Sequence, residues 1–338
     1  MGGQCNFTCR HCIQQTGMPS IEKSRPAPDV LQYIECIAKK TDSLLLMFWG
    51  GEPLLYIDTI KYTIQRLSNK NIQYAIITNG LLLNKSIVDF INYHHIRVTL
   101  SNDGTNTDKV RPLNTLENDC ICNAFKQIQY KGIEACVTAY NQDYYDTWDY
   151  LEKKVGKQIS IFNSPLRISW DMPHDLWDYD LVAYKERMQD IVQKAWTGLL
   201  KEEINREYLL LQPTVTRILR KIEGKSLSVL CCGQGYNTVN IDLSGNVYAC
   251  HNGTWRLGTI ADDEQVLHDK FLHYLDTHTM SECKTCEYAD VCGLRCPNMI
   301  SSEGATKCCE REKIFIQACF HFISKIQQYA KKRGDDQI

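Results

Sequence analysis

Cys5, Cys9 and Cys12 open the chain in the run Cys5-Asn6-Phe7-Thr8-Cys9-Arg10-His11-Cys12. A C-x3-C-x2-C spacing puts three thiols on one tight loop, and thiolates are the usual ligands of iron–sulfur clusters. Three of them can grip three corners of a 4Fe–4S cubane. The fourth iron is then open to bind a small molecule and pass it an electron. Zinc, the other common guest of cysteine loops, asks for four ligands, often as paired C-x2-C knuckles. His11 is the nearby candidate for a fourth, but between Arg10 and Cys12 on the same short loop it is poorly placed.

Gly50-Gly51-Glu52-Pro53 follows directly on the apolar run Leu44 to Trp49. Two glycines let a ligand approach the backbone closely, and a carboxylate beside them can accept from an ammonium group. Read alone, this is also a plain strand-to-helix turn. Thr78-Asn79-Gly80 and Ser101-Asn102-Asp103-Gly104 stand where further strands are predicted to end, and by residue type both are turn formers. A second gathering of cysteines lies far downstream. Cys283-x2-Cys286-x5-Cys292-x3-Cys296 falls in one loop-rich segment, preceded by Cys232 and Cys250 and followed by Cys308-Cys309. A zinc ribbon could be built from the first four, but it would leave the other cysteine groups without a role.

The triplet together with Gly-Gly-Glu resembles the signature of the radical S-adenosylmethionine (radical SAM) superfamily. The downstream pattern resembles the seven-cysteine SPASM domain, and the likeness runs over nearly the whole chain. It implies that Cys5, Cys9 and Cys12 hold a 4Fe–4S cluster to which SAM chelates. Gly50, Gly51 and Glu52 would hold the SAM amino group. Asn79, Ser101, Asp103 and Arg111 stand at further cofactor-binding positions, Arg111 where many relatives carry an arginine near substrate or cofactor. Cys232, Cys250 and Cys296 would ligate a first auxiliary cluster. Cys283, Cys286, Cys292 and either Cys308 or Cys309 would ligate a second, with Cys309 preferred. Cys232 is preferred to Cys231 for its Cys-x-x-Gly context; Cys231 is either a fourth ligand of the first cluster or absent from it, leaving that iron open.

The implied cofactors are therefore SAM and three 4Fe–4S clusters, and the implied reaction is reductive cleavage of SAM to a hydrogen-abstracting radical. SPASM relatives act mostly on peptides. This points to a maturase that crosslinks a ribosomally made precursor peptide through a C–C, thioether or ether bond. The expected partners are that peptide, a reductant such as flavodoxin or ferredoxin, and a separate leader-recognition protein or the SPASM region in its place. An anaerobic sulfatase maturase is the second reading. That family places an Asp after the cysteine equivalent to Cys250, where this chain has His251, which is either a base or a hairpin surface residue. A pure electron-transfer protein is disfavoured by the missing fourth cysteine and the Gly-Gly-Glu.

Composition agrees with this frame. The chain has 338 residues, 43% hydrophobic and 23% charged, enough for a sizeable buried core. A net charge of −2 argues against nucleic acid as a partner, and no apolar run is long enough for a membrane helix. Seventeen cysteines without a leader ahead of Cys5 suggest reduced thiols and a cytoplasmic setting. Cys36, Cys120, Cys122, Cys136 and Cys319 fall in helix or strand patterns and read as packing residues.

The elements that must position these groups alternate. Helices are expected over 29–40, 57–69, 85–93 and 119–131, and strands over 44–49, 74–78, 96–100, 134–139 and 166–170. Alternation of this kind means βαβ units and a parallel sheet, here an α/β fold of the partial (β/α)6 barrel type. The expected domains are a radical SAM barrel over 1–175 and a mainly helical bridge over 176–228. A small Cys-rich α+β SPASM domain with a β-hairpin follows over 229–320, and a terminal helix and tail over 310–338. The family's usual strand ahead of the cluster loop has no evident counterpart, because only Met1 to Gln4 precede Cys5.

Overall fold

The structure, a computed structural model, describes residues 2–16, 25–157, 159–225, 230, 232–293 and 296–333. Residues group into two compact units. The first comprises 1–164 with 237–277, and the second 165–236 with 278–338.

In the first unit β1 (Leu44–Phe48), β2 (Ile72–Thr78), β3 (Arg97–Ser101), β4 (Lys131–Val137) and β5 (Ser160–Pro165) form one sheet in sequence order. β1 through β4 pair in parallel. The crossovers are α1 (Pro28–Lys40), α2 (Ile57–Arg66), α3 (Lys85–Tyr93), α4 (Thr107–Val110) with α5 (Asp119–Lys126), and α6 (Tyr144–Val155). Strand residues of one parity form the core: Phe48, Ile76, Val98, Leu100 and Ile133 pack with Ile60, Ile64, Ile87, Ile91 and Phe125 of the helices. The opposite parity faces away from that core. Leu45 and Met47 are 43% and 44% exposed, and Phe162 on β5 is 57% exposed. The apolar run of β1 is thus buried mainly on one face. The inner face of the sheet carries these apolar residues on β1 and β5, with Thr99, Ser101, Glu134 and Cys136 between them.

Residues 237–277 join this unit through β6 (Asn240–Ile241), β7 (Asn246–Tyr248), β8 (Arg256–Thr259) and α9 (Glu264–His278). The three strands are antiparallel. Gly245 takes φ +86°, as the turn between β6 and β7 requires, and a side chain there would press on Ile260. The Ala27 N–H donates to the Leu243 carbonyl at 2.9 Å, and Ile241 and Ile260 pack on Val30 and Ile34 of α1. Those contacts explain why the hairpin groups with the sheet unit.

The second unit is built on α7 (Leu181–Leu200), α8 (Arg206–Ile222), the short α10 (Ser281–Lys284) and α11 (Glu303–Arg333). The bridge over 176–228, expected to be mainly helical, contains two helices. The chain breaks between them at Glu202, which adopts φ +59°, and restarts with the Asn205 side chain accepting from the Tyr208 N–H. Departures are small. The fifth strand ends where 166–170 was expected to begin one; Leu166 and Ile168 are buried in the second unit, where the Ile168 carbonyl accepts the Ile300 N–H at 2.9 Å. The helix expected over 119–131 stops at Lys126, leaving Lys131 to open β4. Cys36 and Cys120 are exposed on helix surfaces, not packed inside. The described residues contain no helix long and apolar enough to cross a membrane.

Candidate cluster and cofactor site

The N-terminal loop is laced to Gly-Gly-Glu. The Gly51 N–H donates to the Gly2 carbonyl at 3.1 Å and the Glu52 N–H to the Gln4 carbonyl at 2.8 Å. Gln14 Nε2 donates to the Gly50 carbonyl at 2.7 Å. A Cβ on Gly51 would sit 2.0 Å from the Gln4 carbonyl oxygen, so the approach that demands glycine here is that of the chain's own first residues.

Glu52 is 1% exposed. One carboxylate oxygen accepts the Leu54 N–H at 3.0 Å and the Thr78 hydroxyl at 2.6 Å, and the other accepts the Asn79 N–H at 2.9 Å. Burial raises its pKa against the pull of these donors. The side chain therefore ties the end of β1 to the end of β2, with roughly one of its four acceptor sites left over. Asn79 extends the tie. Its Nδ2 donates to Asn6 Oδ1 at 2.7 Å and lies 4.0 Å from Cys5 Sγ.

Beyond the end of β3 the loop meets a second set of groups. The Arg10 N–H donates to the Val110 carbonyl and its guanidinium to the Lys109 carbonyl, each at 2.9 Å. Asp103, 1% exposed, takes Arg111 Nε at 2.6 Å and Nη2 at 3.3 Å, and also accepts the Cys136 N–H at 2.7 Å. The remaining Arg111 nitrogen, Nη1, lies 3.9 Å from Cys9 Sγ. Burial opposes the charge on Arg111, but Asp103 and Cys9 raise its pKa above even the usual arginine value. Burial also pushes the Cys9 thiol up to about 11 against the pull of Arg111. His11 is buried beside this pair, its pKa lowered to about 4 by burial and by Arg111, so it is a neutral ring. Its Nδ1 has no hydrogen-bond partner.

Glu52, Asn79, Asp103 and Arg111 all reach the cluster loop or its supports. Ser101 is half-buried at the end of β3 on the inner face. Asn102 was passed over, yet it is fully buried and organises this corner. Its Oδ1 accepts from the Gly104 N–H and the Thr107 hydroxyl, and its Nδ2 donates to Asn114. The signal was present in Ser101-Asn102-Asp103-Gly104, where only Ser101 and Asp103 invited a ligand reading. His251 is half-buried, with its ring 4.2 Å from that of Trp49 at the end of β1, and so is not a surface residue.

The downstream cysteines sort into groups. Burial, followed by the nearby Cys283, pushes Cys309 up to about 11, and Cys286 acts in the same direction. Cys308 faces elsewhere. It is 1% exposed, lies 4.0 Å from the Tyr179 hydroxyl, and is pushed up to about 12 by burial. Cys296 lies within electrostatic reach of Cys232 and of Arg167, burial being the main cause of its raised pKa. Cys250 belongs to the other compact unit, and Cys231 lies outside the described residues.

These thiols suit clusters. All those described are free of disulfides. N–H groups point at cluster-loop sulfur, the Phe7 N–H at 3.4 Å from Cys5 Sγ among them. Among the described residues no three of His, Cys, Asp and Glu converge as a single metal ion would require. A cubane makes no such demand, since each thiolate takes its own iron.

Residues 1–155 match the family model described as the Radical SAM superfamily. TigE of Paramaledivibacter caminithermalis, named a radical SAM cyclopropyl synthase, is 22% identical over 331 residues, covering 90% of this chain and 68% of that protein. The solved structure of native anSMEcpe with bound AdoMet and Kp18Cys peptide has a TM-score of 0.69 at 20% identity, covering 97% of each chain. SuiB of Streptococcus suis bound to the precursor peptide SuiA has a TM-score of 0.55 at 15% identity, covering 90% of this chain and 74% of that one. At such identities the structural likeness is one of fold.

Proposed function

With a radical SAM domain over residues 1–155 as the premise, we propose that this enzyme is a maturase that forms a crosslink within a ribosomally made peptide. The observation that carries the reading is the three-thiol loop bound at one end to Glu52 and Asn79 and at the other to Lys109–Arg111. Cys5, Cys9 and Cys12 would hold a 4Fe–4S cluster, and Gly50, Gly51 and Glu52 would receive the SAM amino group. When bound, cluster and SAM supply an electron and a 5′-deoxyadenosyl radical able to take hydrogen from an unactivated carbon.

The chain's own residues do the rest. Glu52 and Asn79 fix the loop to the sheet, and Asp103 fixes Arg111 against Cys9. The inner face offers apolar Leu45, Met47 and Phe162 beside Glu134, whose carboxylate accepts from the Ser164 hydroxyl. Such a surface suits a peptide side chain. Two auxiliary clusters are assigned to the SPASM region, 229–320. Cys232, Cys250 and Cys296 hold one, and Cys283, Cys286, Cys292 and Cys309 the other. The proximity of Cys309 to Cys283 and Cys286 supports the choice of Cys309 over Cys308.

Likeness to a cyclopropyl synthase and to a precursor-bound fold supports crosslinking. The sulfatase-maturase reading draws support from the fold match to anSME over 97% of both chains. His251 in place of an Asp argues against it. The test is anaerobic reconstitution with iron, sulfide, dithionite and SAM, followed by addition of any short peptide found to be encoded in a neighbouring reading frame. The expected result is 5′-deoxyadenosine with loss of two hydrogens from the peptide. An aldehyde on a sulfatase peptide would favour the second reading, and iron-loaded protein that makes no 5′-deoxyadenosine would sink both.

A further inference from the structure

Arg111 is where the cluster loop meets a fixed positive charge. The guanidinium is divided. Nε and Nη2 face Asp103 at 2.6 Å and 3.3 Å, and Nη1 faces Cys9 Sγ at 3.9 Å. The pair is nearly closed to solvent, with side-chain exposures of 11% for Arg111 and 1% for Asp103. Asp103 is itself held by the Cys136 N–H at 2.7 Å and cannot swing away. The loop is registered against this pair by Arg10, bonded to Val110 and Lys109 immediately before Arg111. At Cys5 the donors are neutral: the Phe7 N–H and the Asn79 amide.

We propose that Arg111, aimed by Asp103, is a positioning residue that sets the reduction potential of the cluster held by Cys5, Cys9 and Cys12. The inference rests on the reading that this triplet carries a cluster. Reduction adds one negative charge to the cluster, and a buried cation beside one of its sulfurs favours the state with more charge. Hydrogen bonds to cluster sulfur and local charge are recognised levers on iron–sulfur potentials. Asp103 has two effects of opposite sign. It orients the guanidinium, and its own negative charge offsets part of the field. Asp103→Asn keeps an acceptor for the guanidinium and removes the negative charge, so the two residues should shift the potential in opposite directions when neutralised singly. A merely structural role would not produce that pattern.

The experiment is an EPR-monitored redox titration of the full reconstituted chain without SAM. The N-terminal signal is identified in parallel samples by its change when SAM is added. Arg111→Gln should make reduction harder, by about tenfold in the equilibrium constant, about 59 mV for one electron. Arg111→Lys should retain part of the wild-type value, and Asp103→Asn should make reduction easier. If Arg111→Gln fails to load iron, the near-isosteric Asp103→Asn decides by the sign of its shift. Unmoved potentials, or shifts of one sign in both neutralised variants, overturn the inference. So does weakened SAM binding with an unmoved potential, the result expected if Arg111 served SAM alone. A wild-type chain that shows no SAM-sensitive cluster signal overturns the underlying reading instead, which keeps the two failures apart.

Discussion

Glu52 illustrates how much a single side chain can be asked to do. Three protein donors converge on its carboxylate, two of them backbone N–H groups, so the residue is a fastening as well as a candidate ligand. In Glu52→Gln one oxygen becomes an NH2 group, and whichever way the amide turns, it faces a backbone N–H. A buried donor left without an acceptor costs about 2 kcal/mol. The variant should lower the urea midpoint of the apoprotein accordingly, before any cofactor is added. An unchanged midpoint would mean that the tie between β1 and β2 carries no strain-bearing load. The sequence exposed Glu52 as chemically interesting through its neighbours, but not this second use. Leu54 is a local partner, two residues on, but Thr78 and Asn79 meet it only once the sheet has formed. Asn102 was missed for the same reason, since its partners Thr107 and Asn114 are brought to it by the turn that follows β3.

At the scale of elements, alternation of apolar strands and amphipathic helices made the parallel sheet legible, and a β-hairpin was expected within 229–320. What could not be read was the hairpin's attachment, because it rests on a handful of contacts between Leu243, Ile260 and α1 that leave no local pattern. Asp242 holds the hairpin turn. It accepts the N–H groups of Ser244 and Asn246 at 2.8 Å and 3.0 Å, the Asn246 amide at 2.7 Å and the Tyr248 hydroxyl at 3.1 Å. Burial works against the charge, but these donors hold the pKa below the ordinary 3.8. A carboxylate with a depressed folded pKa stabilises fully above the unfolded value and loses that contribution as pH falls through the folded one. Asp242→Asn should therefore cost about 1 kcal/mol near neutral pH, discounted for partial exposure. The gap from wild type should close on acidification below about pH 4. Thermal melts of both proteins between pH 3 and pH 7 would show it, and a gap that persists in acid would refute it.

Across the whole molecule, cysteines at both ends of the sequence end up serving different compact units, with the hairpin carrying Cys250 grouped with the sheet. Spacing could nominate Cys308 and Cys309 equally, since they are neighbours on α11. Their opposite facing, one to Tyr179 and one to Cys283 and Cys286, separates them. Iron analysis should give about twelve per chain, about four per cubane. Cys309→Ala should lower this by up to about four, whereas Cys308→Ala should keep the iron and lose some stability from its buried site. Equal iron loss in both variants would contradict the assignment. The lacing of the N-terminal loop also has a temporal side. Cys9 leaves the ribosome 102 residues ahead of Arg111, and Gly51 and Asn79 follow in between. At about 5–20 residues per second the thiols wait roughly 5–20 s for the groups that seat them. During that interval the loop is bare, so iron delivery, or protection from oxidation, has to be timed to the emergence of Arg111 after β3 and not to that of the loop itself.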